Sequence, residues 1–162
     1  MPSLIWEIRV IIIGAGPAGS HLAYRLAHLG YQVMVVDKQA APGEDVCCTG
    51  ILGQECLSAL ALDGSLVLRQ ASSAKFFSPS GKCLRLRRDS PVAAIVDRSA
   101  LDMSLAKQAQ EAGADYLFRA TVTDIISEPD AVKVKIDSQE HWRRGPRRSL
   151  VRTCLKLLGS ET

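Results

Sequence analysis

No stretch of this sequence is apolar for long enough to cross a bilayer. The first apolar run, Leu4 to Ile13, carries Glu7 and Arg9 and passes straight into glycines, well short of the about 20 residues a spanning helix needs. The same run shows no cleavage-type pattern of small residues, so it does not read as a secretory signal. Cysteine offers no framework either: the five, at 47, 48, 56, 83 and 154, are odd in number and irregular in spacing. That excludes a readable disulfide set or zinc-ligand pair and makes a reducing, cytoplasmic setting the expectation. Internal repeats and low-complexity tracts are missing. A basic nucleic-acid-binding surface is missing too, despite a net charge of +3, because residues 138–162 hold six Lys/Arg against two acids and leave the rest of the chain at −1. No nucleic-acid partner and no bound metal are expected.

What is present fits one ordinary α/β domain. With 162 residues, 47% of them hydrophobic, the chain can bury a real core but not two comfortable ones. Ile8 to Ile13 is a β-branched run suited to a strand covered on both faces of a parallel sheet. From Pro17 to Leu29 the pattern turns helical, with Ala18, Leu22, Leu26 and Leu29 expected on the inner face and Gly30 as the stop. Residues 32–37, QVMVVD, supply a second strand, completing a βαβ unit. A glycine-punctuated loop runs from Gln39 to Gly53, followed by a short helix near Gln54 to Leu62. An antiparallel hairpin is expected to join Ala74–Ser78 to Cys83–Arg87 around a Ser-Pro-Ser-Gly turn. Ser99 reads as an N-cap with Asp102 three residues on, opening a helix with Leu101, Leu105, Ala109 and Ala112 on one face and Gly113 as its stop. Two further strands, DYLFRATVTDIISE and AVKVKID, form a hairpin about Pro129 and Asp130. Residues 1–137 are therefore taken as the ordered domain. Residues 138–162 are an arginine-rich tail that reads either as an amphipathic helix from Ser149 to Leu158 or as a disordered segment.

The most informative stretch is IIIGAGPAGS, residues 11–20. In a strand-to-helix turn of the form G-x-G-x-x-G, Gly14 permits the bend, Gly16 leaves bare backbone for a pyrophosphate, and Gly19 lets the helix pack against the strand. The helix start then offers free N–H groups and the positive end of its dipole to the anion. A glycine-rich tight turn without a ligand is the plainer reading of the motif alone. The flanking strand and helix, and Asp37 at the end of the second strand eighteen residues after Gly19, favour a dinucleotide whose ribose hydroxyls meet that acid. Asp37 also disfavours a ribose 2′-phosphate, since two negative groups would meet.

Three blocks extend the argument: VIIIGAGPAGSHLAYRLAHLGYQVMVVDK, GEDVCCTGIL, and VDRSALDMSLAKQAQEAGADYLFRATVTDI. Together, over about residues 8–137, they make the chain resemble the FAD-dependent geranylgeranyl reductase family, within the p-hydroxybenzoate-hydroxylase-like flavoproteins. The resemblance implies a Rossmann-type FAD-binding domain with an antiparallel hairpin or meander. It places Gly14, Gly16, Pro17, Ala18 and Gly19 by the pyrophosphate, Asp37 with Lys38 at the adenosine ribose, Cys48, Thr49 and Gly50 near the flavin, Arg98 on FAD, and Val122 at the adenine edge through its backbone. Arg98 also reads as a solvated helix-start arginine, Cys47 and Cys48 as two small loop residues, and His21 and His28 as exposed or packing residues of the first helix. No catalytic residue is singled out.

By the same resemblance, the family reduces isolated C=C bonds of prenyl chains on chlorophyll precursors, quinones or isoprenoid lipids, with NADPH or a ferredoxin-like donor as reductant. The substrate is then a prenylated small molecule or lipid, and a peripheral membrane contact stays open. A substrate-facing element would begin in the apolar loop and hairpin, Ile51 to Leu86. The family pattern continues after Asp137 with an apolar strand ending in an Ala-Thr-Gly-like turn and a later Gly-Asp motif. Neither follows here, so the domain is expected to be incomplete. Two alternatives stand beside the reductase: a flavin monooxygenase or halogenase on the same scaffold, and a non-catalytic nucleotide-binding remnant.

Overall fold

A computed structural model describes residues 10–60, 64–129, 131–138 and 151–153. The chain divides into two compact units, one of residues 1–44 and 102–162, the other of residues 45–101.

The first unit is built on the βαβ element that the sequence announces. Strand β1 (Val10–Ile13), helix α1 (Pro17–His28) and strand β2 (Val33–Val36) follow in order, and β1 and β2 pair in parallel from Val10↔Val33 to Ile13↔Val36. Alternation along β1 buries Ile12 and exposes Ile13, whereas β2 buries Val33, Val35 and Val36. The inner face of α1 differs from expectation. Ser20, Ala23 and Ala27 are buried, while Leu22 and Leu29 are 48% and 69% exposed and Ala18 is exposed. The reason is distance: a Cβ on Gly19 would lie 2.0 Å from the Gly14 carbonyl oxygen and 3.3 Å from Ile12 Cγ2. A helix held this close to the strand has room only for small side chains directly beneath it, so Leu22 and Leu29 turn outward while Leu26 stays half-buried at the edge of the core. Tyr24, half-buried at the edge of the core, stacks with His28 at 5.9 Å between ring centroids and lies 6.4 Å from His21, which makes the two histidines packing partners of a tyrosine.

The second unit, residues 45–101, is antiparallel. Strand β3 (Ile51–Gly53) leads into helix α2 (Gln54–Ala59), and strand β4 (Val67–Ala71) is followed by β5 (Ser73–Phe77), β6 (Cys83–Arg87) and β7 (Ala93–Val96). The sheet order is β3-β7-β4, with β5 and β6 forming a separate ribbon. The hairpin expected at 74–78 with 83–87 is present one residue earlier in its first strand, with Ser73↔Arg87 and Phe77↔Cys83 as its ends. Its turn is closed by Gly81 N–H donating to the Ser78 carbonyl at 2.9 Å, with Gly81 at φ +78°.

Helix α3 (Arg98–Glu111) is capped by Asp97 and not by Ser99. Asp97 Oδ1 accepts the Ala100 N–H at 3.0 Å, and the Asp97 carbonyl accepts the Leu101 N–H at 2.8 Å. A carboxylate directly before the first helical residue reaches the third amide of the helix, and that geometry places Ser99 one turn position too late. The expected inner face holds at Leu101, Leu105 and Ala109, all buried, and the helix ends at Gly113 with φ +103°.

In the first unit, β8 (Asp115–Leu117) adds parallel to β2, giving the order β1-β2-β8. Strands β9 (Ala120–Ser127) and β10 (Val132–Ser138) form the expected hairpin; Asp130 of its turn lies outside the described residues. Of the stretch expected to be helix or tail, Val151–Thr153 is instead a short strand, β11, antiparallel to β10. Two of its three residues are β-branched and an unpaired edge of β10 was available. The remainder of 139–162 lies outside the described residues.

The core of this unit joins Ile12, Ala15, Ala23, Ala27, Val33, Val35, Ala109 and Ala114, with Tyr24, Tyr116 and Phe118 packed against it. Burial pushes the Tyr116 phenol above its ordinary value of 10.0, and Ser20 opposes the shift only in part. The Ser20 hydroxyl donates to the Ala15 carbonyl at 3.0 Å, so its proton is committed elsewhere, and the buried Tyr116 hydroxyl has no hydrogen-bond partner among the described residues. The folded state therefore holds this proton more tightly than the unfolded chain. Stability falls as pH rises past about 10, where an unfolded tyrosine ionises. Tyr116→Phe is expected to be neutral or stabilising at pH 7 and to flatten the loss between pH 9 and 11 in urea titrations (roughly the tyrosine range); an unchanged alkaline slope would contradict this.

Candidate nucleotide site

The three glycines of the turn occupy three different environments. Gly14 has φ +105°, a left-handed conformation that a side chain resists. Its N–H donates to the Val36 carbonyl at 2.8 Å, so the β1–β2 ladder runs right up to the bend. Gly16 has an ordinary φ of −69° as the N-cap of α1, and a Cβ there would meet nothing within 4 Å. Gly19 faces the opposite situation, with the Gly14 backbone filling the place of its Cβ. One glycine is required by conformation and one by packing. The third, Gly16, is required by neither; it borders open space, as Gly14 also does, but with a backbone conformation any residue could adopt.

Helix α1 begins there without a side-chain cap, and Pro17 sits at its first position. Proline donates no hydrogen bond and its fixed φ suits a helix start. The positive end of the helix dipole is therefore unscreened by any acid in the first turn. Ala18 is exposed beside it.

Asp37 is fixed by its surroundings at the end of β2. Its N–H donates to the Leu117 carbonyl at 2.9 Å and its carbonyl accepts the Ala120 N–H at 3.0 Å. The carboxylate points at the glycine turn: Oδ2 accepts the Ala15 N–H at 2.5 Å and Oδ1 accepts the Gln39 N–H at 2.8 Å. An ionised carboxylate has about four acceptor sites, so two amides orient it and leave acceptor capacity for hydroxyls. The roles of Ala15 and Gln39 were not legible in the sequence, since backbone amides carry no residue signature; the only hint was Ala15's place between two glycines. Lys38 is exposed next to this acid.

Val122 lies in the same unit, half-buried on β9, two residues beyond Ala120 and opposite Ile136. The β9–β10 register shifts beside it: Asp124 pairs with Lys135 and Val122 with Ile136. Thr123 is thus an extra residue in its strand, a bulge of the kind that redirects backbone groups at the end of a ladder. The turn, Asp37 and the start of β9 come together at the C-terminal ends of the parallel strands, where ligands bind in open α/β sheets.

The other expected site residues belong to the second unit. Cys48 and Thr49 are exposed, as is Cys47. Gly50 is buried at φ +72°, and a Cβ there would lie 2.4 Å from the Val96 carbonyl oxygen and 3.0 Å from Arg98 Cγ. Its carbonyl accepts the Val96 N–H at 2.9 Å. Gly50 is thus demanded by strand packing, whatever its neighbours bind. Arg98 is the half-buried first residue of α3, packed against that glycine. Among the described residues no group of His, Cys, Asp and Glu could hold a metal ion, and no helix is long and apolar enough to cross a membrane.

The sequence profile described as "FAD binding domain" matches residues 7–145. The chain belongs to this FAD-binding domain family. Its Rossmann-like βαβ unit and its flanking antiparallel strands are those of the family, and the Gly16 cradle fits an FAD diphosphate. The chain is 35% identical over 127 residues to digeranylgeranylglycerophospholipid reductase 1 of Methanococcoides burtonii, covering 76% of this chain and 31% of the relative. It is 34% identical over 128 residues to the corresponding reductase of Methanoculleus marisnigri, covering 76% of this chain and 32% of that protein. It spans about a third of the length of these curated relatives. Among solved structures, a geranylgeranyl bacteriochlorophyll reductase-like protein from Thermoplasma acidophilum superposes with a TM-score of 0.72 at 25% identity, over 90% of this chain and 36% of that one. A flavin-dependent brominase superposes with a TM-score of 0.68 at 21% identity, over 91% of this chain and 36% of its own, a likeness of fold alone.

Proposed function

We propose that this FAD-binding domain serves a flavin-dependent oxidoreductase that reduces C=C bonds in prenyl chains of lipids. The observation that carries the cofactor assignment is the open backbone at Gly16, set between the uncapped start of α1 and a carboxylate held toward it. The similarity to digeranylgeranylglycerophospholipid reductases supports the prenyl substrate over a halogenase or monooxygenase reaction, for which the support is fold alone.

FAD, when bound, supplies the hydride chemistry. The chain's own part is to bind and orient. Gly16 and the first-turn amides of α1 hold the diphosphate, without a lysine, through the dipole and bare N–H groups. Asp37 accepts the adenosine ribose hydroxyls and repels a 2′-phosphate. By the resemblance alone, Val122 is assigned to the adenine edge through its backbone, and Arg98, Cys48 and Thr49 are assigned to FAD. NADPH or a ferredoxin-like protein is the electron donor on this reading.

The purified chain is expected to absorb between about 350 and 500 nm, the range of bound flavin, and to take up added FAD in a titration that ADP opposes. A folded protein that ignores both ligands would refute the cofactor assignment. The prenyl assignment has its own test: with chemically reduced FAD present, mass spectrometry should find prenyl glycerolipids gaining hydrogen at their double bonds. A flavin-loaded chain inert toward them would remove the substrate while leaving the cofactor.

A further inference from the structure

Each peptide of the glycine turn is held by a partner, and one of the holders is a side chain that packing does not explain. Gly14 N–H donates to the Val36 carbonyl, and Ala15 N–H donates to the Asp37 carboxylate. The next peptide, Ala15–Gly16, is held at its carbonyl, which accepts the Ser20 hydroxyl at 3.0 Å. The Gly16 carbonyl then accepts the Ser20 N–H at 2.9 Å. Ser20 thus grips two successive peptides with its two donors.

Folding does not call for a hydroxyl at this place. Ser20 shares the inner face of α1 with Ala23 and Ala27 and is buried at 0% exposure. An alanine would pack there as well, and a buried hydroxyl costs free energy unless it is hydrogen-bonded. Nor is the bond the usual local one. A helical serine ordinarily returns its proton to a carbonyl three or four residues back, whereas Ser20 reaches five back, past the helix start. That carbonyl belongs to Ala15, itself 3% exposed. In a trans peptide the N–H points opposite to the C=O, so fastening the Ala15 carbonyl inward turns the Gly16 N–H outward. Among the described residues nothing accepts that N–H.

We propose that Ser20 is a positioning residue of the diphosphate site: its hydroxyl locks the Ala15–Gly16 peptide with the Gly16 N–H facing the ligand. The lock is needed because of the glycine. A half-turn of this peptide would carry Gly16 from φ −69° to positive φ, where glycine is at ease, and would present the Ala15 carbonyl oxygen to an anion. The missing side chain that makes room for a diphosphate also leaves the peptide free to turn. Ser20 removes that freedom before the ligand arrives. Its role rests on the FAD reading of the turn.

The test titrates the full chain and Ser20→Ala with FAD, ADP and adenosine. Losing the bond admits the turned peptide, and apparent affinity falls with the competent fraction. FAD and ADP are expected to bind Ser20→Ala about three- to tenfold more weakly, the equivalent of one neutral hydrogen bond. Adenosine, which has no phosphate, should bind within about twofold of the parent, whereas a general loosening of the unit would weaken all three ligands. Tyr116→Phe removes the hydroxyl next to Ser20 without touching the Ala15 bond, and should leave every affinity within about twofold. In NMR spectra the Gly16 amide should shift on adding ADP to the parent, and less in Ser20→Ala at equal saturation. Urea unfolding verifies that each variant is folded. Equal ADP affinity in parent and Ser20→Ala, or adenosine weakened as much as ADP, would overturn the role of Ser20 and leave the diphosphate site standing. A folded parent that binds neither FAD nor ADP would overturn both.

Discussion

Gly19→Ala is expected to destabilise the nucleotide-binding unit by about 3 kcal/mol or more, the range of forced overpacking against backbone. The added methyl would sit 2.0 Å from the Gly14 carbonyl oxygen and 3.2 Å from its carbonyl carbon. Neither can swing aside as a side chain would, because Gly14 is tied through its own N–H to Val36. Relief requires α1 to move off β1, and that opens the core of Ala23, Ala27 and Ile12. Urea unfolding followed by circular dichroism measures the loss. A midpoint unchanged from the parent would mean that helix and strand are not in such close contact.

Gly16→Val should do the reverse, sparing the fold and removing the ligand. With φ at −69° and no atom within 4 Å of the new Cβ, a side chain can be attached here without backbone strain. The loss of an N-cap glycine limits the destabilisation to about 1 kcal/mol. The same side chain fills the space where the diphosphate approaches bare backbone, so FAD or ADP affinity is expected to fall more than about tenfold, at least 1.4 kcal/mol of binding free energy. Calorimetric titration beside the unfolding curve gives both quantities from one preparation. If Gly16→Val binds FAD as tightly as the parent, the diphosphate does not lie at this turn. The pair is diagnostic because two glycines three residues apart should fail in opposite ways.

Much of the candidate site is legible in the sequence. Gly14, Gly16 and Gly19 stand at fixed offsets between a β-branched run and a helical pattern, and each offset corresponds to a distinct steric demand. Asp37 was legible for a similar reason, being the first acid after the second apolar strand. The cap of α3 was misplaced by two residues because Asp97 and Ser99 both suit the position chemically; only the backbone geometry shows which carboxylate or hydroxyl reaches Ala100 N–H. Gly50 looked like part of a ligand loop, yet its φ of +72° and the nearby Val96 carbonyl give it a structural task that arises from a strand forty-six residues away.

The choice of inner face on α1 shows where sequence periodicity stops. Leu22 and Leu29, with the half-buried Leu26 between them, satisfy a helical stripe as well as Ser20, Ala23 and Ala27 do, and hydrophobicity alone prefers the leucines. The amino-acid order by itself determined the elements, the glycine turn and the acid beside it, since these depend on local conformation and spacing. The tertiary structure decided which side of the helix is buried, which residue caps α3, and that the carboxylate of Asp37 is held by the Ala15 and Gln39 amides. These outcomes depend on how closely two backbones approach, a distance that is set by partners far apart in the chain.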